Sequence, residues 1–513
     1  MFVAYLVGGV FVLLAAAIAV MLYGAGGQRD VGPNGFALPT ADNLTHLDRM
    51  LNSQLQEHHG KSGIHIISDD LEAFRFRLDL AREAGRSLDL QYYYWKNDVT
   101  GRLLAKEILV AADRGVRVRL MLDDINSMGL DPTYLALNTH PKIHVRLFNP
   151  SRSRTSSTRR GIELVVRYFS ATRRMHNKCW IADGRVAIVG GRNVGDAYFG
   201  ASTAASFSDI DILLAGRAVA DAEKIFDSYW NSDATLPITS LHRMRRGKLA
   251  KLRYRLSQHS ASYHATTYIR HAEQRLKGSM TEELSNLKWV ASAEVIADPP
   301  EKANAKKPDQ WIAKRIFELI SEAQTELLLV SPYFIPGPDG LTILRDVKRR
   351  GVNTEILTNS LAATDVMMVH SAYAKYRMAL VESGIALFEQ KSSFGGKTKI
   401  SLFGSKTASL HTKACVVDRR TSFVGSFNLD PRSKSINTEM GIVFESELLS
   451  NQLAELLQSQ MQGSYRLNSR NGQLSWIENH DTTPAIYSSE PGSSKSRRIA
   501  AWLVGLLPIE SQL

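Results

Sequence analysis

The sequence predicts an α/β protein: two duplicated α/β/α sandwich domains with mostly parallel sheets, preceded by an N-terminal transmembrane helix. Three observations carry this. His176 to Asn193 reads HNKCWIADGRVAIVGGRN and His411 to Asn428 reads HTKACVVDRRTSFVGSFN, one pattern twice at an offset of 235 residues. The helix-stop glycines Gly115 and Gly351 lie 236 residues apart, so the scaffold repeats together with the motif. Phe2 to Tyr23 is an uncharged apolar run, long enough to cross a bilayer as a helix.

The composition fits this plan. A chain of 513 residues is too long for one ordinary core and suits two large domains. A hydrophobic share of 44% with 22% charged residues excludes a disordered chain. The net charge of +12 favours anionic partners without choosing among nucleic acid, lipid headgroups and phosphorylated substrates. Cys179 and Cys415 are the two cysteines, so no disulfide framework is implied. Each follows a motif lysine inside an apolar run and reads as a buried core thiol.

Residues 1–27 are the expected anchor. The stretch lacks the basic start and short apolar core of a signal peptide. A single N-terminal span would place the protein in the cell (inner) membrane. The side is left undecided, because Arg29 alone lies close to the span. Residues 28–62 are polar and read as a linker. The first domain is expected over 63–240. Asp69–Gly85 has helical apolar spacing, Ser87–Trp95 reads as a strand, Gly101–Gly115 as a helix and Val116–Asp124 as a strand. Strand, helix, strand is a βαβ unit, which points to a largely parallel sheet.

Residues 241–300 form a basic inter-domain segment with Arg243, Arg245, Arg246, Lys248, Lys251, Arg253 and Arg255 and no acid among them. They read as a solvated helix face or a face toward anionic lipid. Another basic run, Ser151 to Arg174, leads into His176 and suits attraction of an anionic substrate. The second domain is expected over 301–480, with helices at Ile312–Gln324 and Leu341–Gly351 and strands at Thr325–Phe334 and Val352–Asn359. Residues 481–513 form a C-terminal tail, of which Arg497–Leu513 is apolar with a basic start and either packs on the domain or touches a membrane.

Each motif offers one imidazole, one ammonium and one amide. Lys178 lies two residues after His176, on the same face of a strand, and Lys413 stands likewise to His411. Asn193 and Asn428 follow small residues that let the backbone turn and a ligand approach. Two halves facing one another would surround one point with two of each group. That set suits a phosphodiester. Lysines and amides hold the non-bridging oxygens, and no metal or cofactor is required. One histidine attacks phosphorus and the other protonates the departing alcohol. A single His-x-Lys-x4-Asp is expected about 0.03 times by chance in such a chain, so two copies with matching tails are not accidental.

These motifs resemble the signature of the phospholipase D superfamily, over roughly residues 65–480. The resemblance implies the phospholipase D fold, with both halves sharing one active site. His176, Lys178 and Asn193 would face His411, Lys413 and Asn428. His176 would be the nucleophile and His411 the general acid and base. Asp183 and Asp418 would support local structure, as would Gly191 and Ser426 at the Gly-Gly and Gly-Ser positions. Each histidine would lean on an acid from the opposite half: Glu439 for His176, and Asp209, with Asp211 as second choice, for His411.

SLDLQYYYW, TGRLLAKEILVAADRGVRVRLMLDD, MHNKCWIADGRVAIVGGRNVGDAYFG, NSLAATDV and LLPIE are similar to bacterial cardiolipin synthases, especially the C-type branch. That resemblance implies phosphatidyl transfer to phosphatidylglycerol, with phosphatidylglycerol or phosphatidylethanolamine as donor, at a membrane and without nucleic acid. A hydrolase releasing phosphatidic acid is the alternative, and a nucleic-acid phosphodiesterase a more distant one. Oligomeric state is not legible.

Overall fold

The computed structural model describes residues 14, 31–125, 127, 129–151, 172–202, 206–241, 248–275, 278, 280–304, 311–392, 408–478, 483–508 and 510–513. Two β-sheets are laid out on one plan. The first half supplies β1 (Ser62–Ile67), β2 (Ser87–Tyr92), β3 (Arg117–Asp123), β4 (Ile143–Phe148), β5 (Cys179–Ala182), β6 (Val186–Gly190) and β7 (Asp211–Gly216). The second supplies β8 (Ser292–Ala297), β9 (Glu326–Val330), β10 (Asn353–Asn359), β11 (Ala386–Gln390), β12 (Ala414–Val417), β13 (Thr421–Gly425) and β14 (Met440–Glu445). Spatial order is β1-β7-β6-β5-β2-β3-β4 in one sheet and β8-β14-β13-β12-β9-β10-β11 in the other. The duplication read from the motif spacing is therefore a duplication of topology.

Local chemistry sets the helices between these strands. Asp69 caps α1 (Asp70–Glu83) by accepting from the Leu71 and Glu72 amides, and Asp98 caps α2 (Val99–Asp113) through the Gly101 amide. Gly115, at φ 101°, ends the turn after α2, and Gly351, at φ 91°, does the same after α8 (Gly337–Arg349). Both need the left-handed backbone that glycine adopts without penalty. Further helices are α3 (Asp131–Asn138), α4 (Arg217–Trp230), α5 (Leu249–Ser260), α6 (Tyr263–Arg275), α7 (Ile312–Ser321), α9 (Met367–Tyr373), α10 (Pro431–Ser435), α11 (Glu447–Gln462) and α12 (Lys495–Gly505).

The sheets are mixed, which corrects the expectation of mostly parallel ones. Parallel pairing is confined to β2–β3–β4 and β9–β10–β11, where helices provide the crossovers. The motif strands instead reverse at once. β5 and β6 form an antiparallel hairpin turned by Asp183 and Gly184, both at positive φ, and β12 and β13 do so around Asp418 and Arg419. A hairpin so short leaves no room for a crossover helix.

The expected N-terminal transmembrane helix, and the single-span placement in the cell (inner) membrane built on it, are also corrected. No helix among the described residues is long and apolar enough to cross a membrane. Apart from Leu14, the stretch read as the anchor lies outside the described residues. Outside them too are residues 152–171 and 242–247, with most of the arginines read as substrate-attracting or lipid-facing. Of the second basic segment, α5 is described; it packs on α2, and Arg253 pairs with Asp113.

Three apolar clusters hold the layers. One covers the outer face of the first sheet and includes Phe74, Leu90, Leu104 and Trp180. Another covers the outer face of the second, with Ile316, Leu329, Leu344 and Ile356. The third is shared: Ile66, Val189 and Ile212 of one sheet join Leu328, Val424 and Ile442 of the other, with α4 and α11 contributing Phe226 and Leu453. Cys179 lies in this shared core and Cys415 in the second outer cluster, so both thiols are packed as apolar groups.

The motif aspartates anchor the turns. The Asp183 carboxylate accepts from the amides of Gly85, Arg86 and Ser87 at 2.7–2.9 Å, fastening the hairpin to the start of β2. Asp418 does the same with Gln324, Thr325 and Glu326 before β9, at 2.7–3.0 Å. Burial opposes the Asp418 charge, but these amides win and hold its pKa below the usual 3.8. We expect Asp183→Ala and Asp418→Ala each to lower unfolding free energy by about 1.5–3 kcal/mol in urea titrations, through unsatisfied amides. A depressed folded pKa adds stability above the unfolded value and loses it as pH falls through the folded one. The stability gap between wild type and Asp418→Ala should therefore close below pH 3.8. A gap that persists unchanged there would refute the carboxylate's role.

Candidate active site

The two halves meet through reciprocal backbone bonds. The His176 amide donates to the carbonyl of Thr438, and the Thr438 amide to the carbonyl of Arg174, both at 2.8 Å. On the other side the His411 amide donates to the carbonyl of Ser208 at 2.8 Å, and Ala408–Leu410 pairs in parallel with Ser206–Ser208. In each case the accepting residue immediately precedes an acid: Thr438 precedes Glu439, and Ser208 precedes Asp209. Each histidine is thus delivered beside a carboxylate of the opposite half. His176 Nδ1 lies 2.8 Å from Glu439 Oε2, and His411 Nδ1 lies 2.5 Å from Asp209 Oδ2. Both acids are fully buried.

The lysines complete the centre. Lys178 Nζ donates to the His176 carbonyl at 2.7 Å, and Lys413 Nζ donates to the His411 carbonyl and lies 3.0 Å from His411 Nδ1. Burial pushes Lys178 well below its ordinary pKa, with the nearby Lys413 ammonium adding to the shift; burial also brings Lys413 down to about 8. Two buried ammonium groups, one of which feels the charge of the other, favour an anion that interacts with both and restores their charge. Asn193 donates to the Tyr198 hydroxyl at 3.2 Å, and the buried Asn428 Oδ1 has no protein partner among the described residues. Both amides can turn toward a ligand.

Burial drives the histidine His176 down to about 4, against the pull of Glu439. Its imidazole is neutral near pH 7. Nδ1–H then donates to Glu439, and the Nε2 lone pair is left free. Burial lowers His411 as well, helped by the charges of Lys413 and Lys178. Burial would raise Glu439, but the hydrogen-bonded His176, Lys178 and the Ser426 hydroxyl hold it below its ordinary value. Asp209 stays raised: burial outweighs Lys413 and Arg192.

The Gly-Gly and Gly-Ser difference between the motifs has a steric cause. A Cβ at Gly191 would collide with both carboxylate oxygens of Asp209. At the matching place Ser426 donates its hydroxyl to Glu439 Oε2 at 2.5 Å. Asp211, the second choice beside His411, is elsewhere: it pairs with Arg77 at 2.8 Å and Arg192 at 3.5 Å in the core.

Several contributors were missed in the sequence. Ser433, on α10, donates to Glu439 Oε1 at 2.8 Å. Asp298 accepts the Glu439 amide at 2.8 Å and is itself held by Lys302. Rings wall the centre: Tyr93 stands 5.2 Å from the His176 ring, and Tyr198 and Phe207 stand 5.1 and 5.2 Å from His411. Tyr93 directly follows β2, and ligands collect beyond the carboxyl ends of parallel strands; that rule was the available signal. Ser433, on a five-residue helix, and Asp298, just after β8, carry no repeated spacing that marks them in the sequence.

Comparison with known proteins gives a consistent result. The family model described as "Cardiolipin synthase, PLD-like domain" matches residues 78–230 and 316–461, bracketing both motifs. Cardiolipin synthase C of Escherichia coli (strain K12) is 37% identical over 465 residues, covering 88% of this chain and 97% of that protein. The major cardiolipin synthase ClsA of Bacillus subtilis (strain 168) is 25% identical over 384 residues, covering 74% of this chain and 64% of that one. Among solved structures, phosphatidylserine synthase of Haemophilus influenzae Rd KW20 superposes with a TM-score of 0.56 at 14% identity, over 91% of this chain and all of that one. This last likeness is one of fold.

For the nucleophile role expected of it, His176 must be neutral, so kcat/KM should fall on the acid side as it protonates. With its pKa near 4 rather than 6.5, the acid limb should have its midpoint near pH 4. Glu439 pulls that pKa upward, so Glu439→Gln should move the limb lower and cut the rate about 10²–10⁴-fold. A pH profile with a soluble phosphodiester checks both. An acid limb at 6.5 in the wild type, or one unmoved by Glu439→Gln, would refute the assignment.

Proposed function

The chain belongs to the cardiolipin synthase family with phospholipase D-like domains, and from that footing we propose that it forms cardiolipin by phosphatidyl transfer through a phosphohistidine. The observation that carries the reading is the crossed pairing, in which each motif histidine is held by a buried carboxylate of the other half. One centre then contains two imidazoles in different protonation roles.

His176 Nε2 attacks the phosphorus of a donor phospholipid, phosphatidylglycerol or phosphatidylethanolamine. The P–N bond forms as the bond to the headgroup oxygen breaks. An alkoxide is a poor leaving group, so His411, which takes up a proton from solvent as the phosphate anion enters, gives it that proton and the free alcohol departs. Glu439 stabilises the positive charge left on the His176 ring. His411 then takes the proton from a hydroxyl of phosphatidylglycerol, whose oxygen attacks phosphorus and frees His176. Lys178, Lys413, Asn193 and Asn428 hold the non-bridging oxygens as negative charge builds in the pentacovalent state. These cations belong to the chain itself, so EDTA should leave turnover unchanged. Phospholipid rather than nucleic acid is the substrate in this reading, supported by the relatives over nearly the whole chain.

The test is product analysis in mixed micelles of phosphatidylglycerol, with and without phosphatidylethanolamine. Cardiolipin with released glycerol or ethanolamine is expected, and His176→Ala or His411→Ala should lose at least about 10⁴-fold in turnover. Phosphatidic acid as the sole product would overturn the transferase in favour of a hydrolase. Wild-type turnover in either variant would overturn the two-histidine mechanism.

A further inference from the structure

Helix α12 has its sides reversed for a globular protein. Its inner side is small: Ala501 is buried, and Gly505 comes so near α9 that a Cβ there would lie 3.6 Å from the Ser371 carbonyl. Its outer side carries Ile499, Trp502, Leu503 and Leu506, at helical spacing, each more than half exposed, with Leu507 just beyond. Met368, on the neighbouring α9, is 45% exposed. A folded chain ordinarily hides such a stripe, and scattered single apolar residues do not form one. From Lys495 to Pro508 the sequence has no acid, and Lys495, Arg497 and Arg498 stand at the start of the helix.

The helix is tied to the rim of the active site. Arg497 donates to the carbonyls of Leu361 and Thr364, both at 2.9 Å. The next residue, Asp365, accepts from the Tyr333 hydroxyl and lends its charge to Lys413. On the same loop's entry, Asn359 binds both backbone groups of Leu410, immediately before His411, at 3.0 Å.

We propose that α12 is an interfacial helix that seats the rim of the active site on the surface of an anionic phospholipid bilayer. Apolar side chains at helical spacing enter the acyl boundary, a tryptophan sits at headgroup depth, and Lys495 and Arg498 meet lipid phosphates while Arg497 fastens the helix to the rim. A second copy of the chain could cover an apolar stripe but would gain nothing from the uncompensated basic end. The inference rests on the phospholipid substrate proposed above, and it gives that substrate a path: lipids reach the histidines from the surface on which the helix lies.

The test uses the full chain with Trp502→Cys carrying an environment-sensitive fluorophore; Cys179 and Cys415 are buried and leave the label selective. Leu448→Cys, an exposed apolar position on α11 with no apolar stripe, serves as the comparator. With vesicles of phosphatidylcholine and phosphatidylserine, the label at 502 should shift to the blue and be quenched by a lipid-borne quencher, while the one at 448 stays unchanged. Trp502→Glu combined with Leu506→Glu should lower turnover on vesicle phosphatidylglycerol at least about tenfold and leave turnover on dispersed short-chain phosphatidylglycerol intact. A silent label at 502, in protein that makes cardiolipin from the short-chain lipid, would overturn the docking. So would a blue shift without lipid that grows with protein concentration and accompanies a dimer in sedimentation. Quenching at 502 without any cardiolipin from the short-chain lipid would uphold docking and sink the proposed function instead.

Discussion

Everything at the centre depends on two hydrogen bonds that cross between the halves: the His176 amide to the Thr438 carbonyl and the His411 amide to the Ser208 carbonyl. Backbone bonds of this kind fix register to within one residue, and in an extended segment one residue reverses the side on which a side chain emerges. With Thr438 and Ser208 fixed as acceptors, the following residues, Glu439 and Asp209, must emerge beside the histidines. The shared core between the sheets holds that register, because Val189 and Ile212 pack with Val424 and Ile442 on strands that lead directly to the motif residues. A lone half would lack the carboxylate that holds its own histidine, and the second imidazole.

The price of the arrangement is electrostatic. Two lysines, two carboxylates and two imidazoles are withdrawn from water, and each alone would be forced to its neutral form. They tolerate burial by compensating one another. Glu439 is held ionised by groups from both halves, with hydroxyls from Ser426 and Ser433 and a hydrogen bond from His176. Asp298 and Lys302 then fix the strand that carries it, with Lys302 Nζ 2.8 Å from Asp298 Oδ2 and from the Ser433 carbonyl. A phosphodiester brings one further negative charge to Lys178 and Lys413, whose ammonium forms burial disfavours.

The meeting of the two His-Lys-Asn sets was legible in the sequence because it is written in short, repeated spacings. His-x-Lys puts two groups on one side of an extended segment, here the one leading into β5 or β12, and the offset of 235 residues located the second copy. The parallel character of the sheets was misread because Ser87–Trp95 and Val116–Asp124 do form a βαβ unit, while pairing of β1, β5, β6 and β7 is decided by contacts far apart in the chain. The N-terminal apolar run was read from hydropathy alone, and hydropathy describes a segment's own solvent preference, not the structure around it. Asp209 and Asp211 illustrate the limit most sharply. They share a side of one extended segment, and only the fold sends Asp209 to His411 and Asp211 to Arg77 and Arg192.

The pseudo-symmetry is broken where the proposed roles differ. Near His176, the serine at position 426 adds a hydroxyl donor to Glu439, so the carboxylate is stabilised as an anion and can balance a positively charged phosphohistidine ring. Near His411, glycine at position 191 removes that donor and lets Asp209 approach the backbone, where the neighbouring Ile210 amide donates at 2.9 Å. Asp209 is left raised in pKa, closer to sharing a proton with the histidine it touches. A carboxylate that binds its charge firmly suits the ring that becomes covalently modified, and one drawn toward its protonated form suits the ring that passes protons. One methylene and one hydroxyl thus give two copies of a single motif the different surroundings that the proposed nucleophile and acid require.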